Sequence, residues 1–71
     1  MLLRHLAQAE RHVAEGAAHI ERQRQLVARL AYRGASVEEV ERAQQLLLDL
    51  EEMQGAHCAD CERIKGHLAE P

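Results

Sequence analysis

Apolar residues recur every three or four positions along almost the whole chain, and the recurrence breaks once, around Gly34, Ala35 and Ser36. A three-and-four alternation keeps one face of an α-helix apolar, whereas a half-buried strand needs an alternation of two. Spread over 71 residues, this pattern leaves room for two long helices and one turn. Composition points the same way. Tyr32 is the only aromatic residue, Pro71 the only proline, and Ala, Leu, Glu, Arg and Gln make up most of the rest. These are strong helix formers, and strands would draw on β-branched and aromatic residues. The chain is expected to be all-α and to form one domain over residues 1–71.

Heptads numbered from Leu6 put Leu6, Val13, Ile20 and Val27 at position a and Leu2, Ala9, Gly16, Gln23 and Leu30 at position d. That is a seam about four heptads long. The second run carries Val40, Ala43, Leu47, Leu50, Gln54, His57, Cys61, Ile64 and Leu68 in the same alternation. Between the runs, Gly34 suits the left-handed residue that follows a helix, and Ser36 with Glu39 three residues on forms a capping box for the next. Arg29 and Arg33 close the first helix while Glu38, Glu39 and Glu41 open the second, so both macrodipoles are complemented. The expected boundaries are helix 1 over 2–33, a turn at 34–35 and helix 2 over 36–69.

So short a connection makes the helices antiparallel, with facing positions summing to about 69 or 70. Charge supports contact between unlike helices. Residues 2–33 carry six Arg against three Glu, a surplus of three positive charges, and residues 36–71 carry three basic against nine acidic side chains, a surplus of six negative. Leu3, Leu26, Leu46, Leu48 and Met53 widen the stripes beyond what one facing helix covers. Domains of about 60 residues hide only about 60% of their unfolded surface. Reinforcement by a partner or a metal is therefore expected, since two cysteines do not make a disulfide framework. The reading is an antiparallel hairpin that dimerises into a four-helix bundle, with Val13, Ile20, Leu47 and Leu50 at its centre and the small Ala9 and Gly16 permitting close backbone approach. A lone coiled coil and a tetramer are the alternatives.

No apolar run has the length of a signal peptide or of a membrane span, so a cytoplasmic location is expected. A net charge of −3 disfavours general affinity for nucleic acid or anionic lipid. Hairpin dimers of the ROP type bind RNA, but a shared architecture is weak evidence of function. Arg4, Arg11, Arg22, Arg24 and Arg29 are scattered among glutamates with no aromatic side chain to stack on a base.

Two polar groups could carry chemistry. His5, His12 and His19 recur every seven residues beside the first seam. Successive members lie about 10.5 Å apart along the axis, too far for one ion to take two of them. The segment GAHCADCERIKGH holds His57, Cys58 and Cys61, and the antiparallel sum puts His12 opposite His57 and Cys58. Imidazole and thiolate are the donors zinc prefers, which makes His12, His57, Cys58 and Cys61 the candidate metal ligands. Against this, sulfurs three apart on a helix converge on one ion only if the helix unwinds, for which Gly55 and Gly66 offer sites, and a buried cysteine is commonly a small hydrophobe. A redox CxxC would open a helix after a strand, and a straight bundle presents no cleft for nucleophilic catalysis, so no enzyme activity is expected.

The strings AERHVAEG, HIERQRQLVARL and LEEMQGAH resemble a group of short helical proteins of soil and plant-associated alphaproteobacteria, over residues 4 to about 60. That resemblance implies a helical hairpin and no established activity. Cys58 and Cys61 are not characteristic of the group. The resulting expectation is a non-enzymatic interaction or scaffold module, homodimeric and open to a further protein partner. A zinc-type bundle using His12, His57 and Cys61 is the alternative.

Overall fold

The computed structural model describes residues 2–69. Its two helices, α1 (Leu2–Tyr32) and α2 (Val37–Ala69), are 31 and 33 residues long and pack against each other. They form a rod of 56 × 14 × 14 Å. Among the described residues, no helix is long and apolar enough to cross a membrane.

The reversal is built by backbone hydrogen bonds that the sequence prepares. Gly34 takes φ = 75°, a conformation that costs an L side chain energy and glycine nothing. Ala35 N–H then donates to Leu30 O at 3.0 Å and Gly34 N–H to Ala31 O at 3.2 Å, the paired bonds of a Schellman motif that satisfy the last carbonyls of α1. The Ser36 hydroxyl accepts from Glu39 N–H at 3.1 Å, which caps α2 as the Ser-x-x-Glu spacing leads one to expect.

Every α1 residue that is not exposed belongs to the a/d set read from the sequence: Leu6, Ala9, Val13, Gly16, Ile20, Gln23, Val27 and Leu30. On α2 the corresponding set runs from Val40 to Ile64, with Asp60 added. Leu2 and Leu68 are the exceptions. Both belong to the seam by register, yet both are exposed. The core is thin: Ala9, Ile20, Ala43 and Cys61 are the buried apolar residues, and no described side chain is wholly hidden.

Two glutamines clasp the seam in opposite directions. Gln23, buried on α1, donates to Ala43 O of α2 at 2.9 Å. Gln54 of α2 donates to Val13 O of α1 at 2.8 Å. At Gly16, where close approach between backbones of the dimer is expected, the missing side chain instead leaves space that the Gln54 carboxamide of the same hairpin occupies. A Cβ at Gly16 would collide with that carboxamide. Gly55 and Gly66, by contrast, lie in uninterrupted helix with open space around them.

These surroundings separate two chemically identical substitutions. Gly55→Ala is expected to stabilise the protein by up to about 1 kcal/mol through helix propensity alone. Gly16→Ala has the same intrinsic gain but displaces Gln54 from Val13 O, so it should give no net stabilisation or a loss. Thermal unfolding followed by circular dichroism compares them, and equal stabilisation by both would show that the Gln54 clasp contributes nothing.

Candidate functional site

Antiparallel pairing brings His12 of α1 and His57 of α2 together, about a third of the way along the rod from its open end, their ring centroids 5.7 Å apart and the planes tilted by 41°. His12 is exposed and His57 half-buried. The pair sits in a groove of about 300 Å³ that Glu15, Gly16, His19, Leu50, Met53 and Gln54 also line. A second groove, lined by His5, Ala9, His12, Asp60, Arg63 and Ile64 among others, continues it toward the open end of the hairpin. His12 belongs to both.

Two buried polar atoms here have no hydrogen-bond partner: His57 Nδ1 and Gln54 Oε1. Such an atom forgoes its solvation without compensation. His19 is differently placed, with Nδ1 2.9 Å from Arg22 Nη2. That guanidinium can only donate, so the imidazole nitrogen accepts. Asp60, half-buried in the second groove, is paired with Arg63 one turn on.

Of the four candidate ligands, the structure brings His12 and His57 together and leaves the sulfurs elsewhere. Cys61 lies in the core between the helices, 5% exposed. Cys58 is exposed and lines neither groove that holds His12. α2 stays helical through both cysteines, so the unwinding a convergent CxxC would need does not occur. Among the described residues, no group of three or more His, Cys, Asp or Glu side chains is arranged to hold a metal ion.

Sequence reasoning passed over several groove residues. Glu15 follows His12 by three positions and His19 follows Glu15 by four, so helical spacing alone places all three toward one side of α1. Gly16 and Gln54 sum to 70, the expected antiparallel relation, but spacing does not show that one fills the space left by the other. Which polar atoms are left unpartnered depends on rotamers, and no sequence signal carries that.

The unlike burial of the two thiols has a direct chemical consequence. Cys58 should react with a thiol reagent such as iodoacetamide at a rate close to that of a free cysteine, and Cys61 only as fast as the hairpin opens. Peptide mapping after a short pulse separates the two, and equal labelling would show that the seam around Cys61 is open. No family model, curated protein or solved structure matches the chain.

Proposed function

We propose that this protein is a non-enzymatic interaction or scaffold module that acts in the cytoplasm as a homodimeric four-helix bundle and can hold a further protein partner. The observation that carries this reading is how little one hairpin buries. Its accessible surface is 5533 Å², whereas a compact monomer of 8.0 kDa exposes about 4,450 Å² by mass scaling. The excess of roughly 1,100 Å² is more than each partner contributes to an ordinary protein interface, about 800 Å². Exposed Leu26, Leu46 and Met53 supply apolar surface for it. The resemblance to alphaproteobacterial helical proteins adds a hairpin to this reading and no chemistry.

A second reading, a zinc-type site using His12, His57 and Cys61, draws on the approach of the two imidazoles. Rings bound to one tetrahedral zinc have centroids about 5 Å apart, given Zn–N bonds of about 2.0–2.1 Å, and the observed 5.7 Å is near that. Recruiting Cys61 would require opening the seam that now buries it.

Native mass spectrometry of the reduced protein, metal-free and then with one equivalent of zinc, tests both readings. A dimer of unchanged mass is the expected result. One or two tightly held zinc ions per dimer would put the metal reading first, and a monomer throughout would overturn the scaffold reading. Leu47 lies half-buried in the seam, so Leu47→Glu should dissociate and largely unfold the protein, because a carboxylate there loses its water without gaining a partner. Sedimentation and far-UV circular dichroism check this, and a folded, dimeric variant would contradict the assigned register.

A further inference from the structure

We propose that a second copy of the chain docks on the histidine-bearing flank of the hairpin with both turns at the same end, so that α1 of each copy lies against α2 of the other. The inference rests on the self-association proposed above and adds its face and its orientation.

The seam has two unlike flanks. On one, Arg24 of α1 pairs with Glu51 of α2 at 3.2 Å, both side chains substantially exposed, and Glu10 and Lys65 share that side by helical position. The other flank carries His5, His12, His19 and Leu26 on α1. Leu46, Met53, Asp60 and His67 are the matching positions on α2. Among these eight positions Asp60 is the one carboxylate, Glu39 continues the α2 row toward the turn, and Glu15 and Arg63 line the grooves around His12 that open on this side. With His57 at the seam itself, all five histidines of the chain fall here. The central rows of this flank hold fewer full charges than the Arg24–Glu51 side and expose Leu26, Leu46 and Met53, which makes it the cheaper one to remove from water.

The order of residues along this flank decides the orientation. Leu26 and Leu46 lie toward the turn, His19 and Met53 near mid-length, and His5, Asp60 and His67 toward the open end. With the turns together, leucines of one copy meet leucines of the other, and Asp60 comes level with His12 of the partner subunit. With the turns apart, Leu46 comes level with Asp60 of the partner subunit, and a carboxylate is pressed against an aliphatic side chain.

Charge favours the same choice. Turn-to-turn packing about a two-fold along the rod places the positive α1 against the negative α2 at every edge of the bundle. Turn-to-end packing sets α1 on α1 and α2 on α2, like on like. Adjacent helices run antiparallel in both arrangements, so the macrodipoles do not discriminate between them.

Two exposed leucines two residues apart test the face. Leu46 (49% exposed) lies on the histidine flank and Leu48 (58%) on the far side of α2. Leu46→Glu should weaken dimerisation by about a hundredfold or more in analytical ultracentrifugation, while Leu48→Glu should leave it unchanged. Dissociation by Leu48→Glu alone would overturn the proposed face and leave the dimer standing, and a monomeric parent protein would overturn both.

Orientation is read separately by electron–electron resonance between spin labels on Tyr32→Cys in a Cys58→Ser, Cys61→Ala background. Tyr32 is exposed beside the turn. Turn-to-turn packing predicts a label separation of about 20–30 Å, set by helix spacing and label length. A separation near the 56 Å length of the rod would overturn the orientation. Because the labelled protein keeps Leu46, this measurement does not depend on whether Leu46→Glu folds.

Discussion

Two cylinders side by side touch along one line, so each helix can hide a single stripe of about two residues per turn and no more. The chain meets that constraint with small and medium side chains. Ala9, Ile20, Ala43 and Cys61 are buried, while Val13, Leu47 and Leu50 remain half-covered. A residue covered on one side only gains part of the roughly 1.5–3 kcal/mol that full burial of an aliphatic side chain brings. A hairpin of this length is therefore long but thin in stabilisation, and adding further turns would lengthen the line of contact without deepening it.

Within so thin a seam, the polar residues do a different task from the apolar ones. A hydrogen bond such as Gln54 to Val13 O contributes about 1 kcal/mol net. Against it stands the Gln54 Oε1 atom left buried without a partner, a loss of about 1–3 kcal/mol. The pair gives little stability by this reckoning. It does give a register. Gln23 reaches from α1 to Ala43 O and Gln54 from α2 to Val13 O; backbone carbonyls recur on every turn, so what singles out this offset is the space beside Gly16 that takes the Gln54 carboxamide. Leucine and valine, which pack acceptably at several offsets, do not distinguish registers so sharply. A side chain at Gly16 would collide with that carboxamide.

Most of the fold was legible in the sequence because each signal is local or periodic. The heptad pattern set the buried face residue by residue, and Gly34 with Ser36 and Glu39 marked the turn through backbone chemistry that belongs to those residue types. The opposition of His12 and His57 followed from antiparallel arithmetic once the turn was placed. The rest depends on side-chain conformation. Cys58 and Cys61 are three apart, and spacing alone leaves open whether the helix unwinds to join them. The structure keeps it wound and puts the two on surfaces of opposite character. Asp60 lies outside the apolar register and is nonetheless half-buried, lining the groove beside His12 and Ile64.

The two flanks illustrate a solvation argument that the charge count alone conceals. Arginine, glutamate and lysine beside a seam cover it with their stems and keep their charged ends in water, and a flank built from them resists being covered, because each end would then have to be dehydrated or paired. Imidazole is shorter and able to donate or accept through its ring nitrogens. A row of histidines can thus border an apolar stripe while wet and tolerate a neighbouring helix when covered. On one side Arg24 and Glu51 pair across the two helices while both stay exposed. On the other side His57 Nδ1 still lacks a partner, and the donor that would satisfy its lone pair, or the acceptor for its proton, must come from outside the single hairpin or from a rearranged His12.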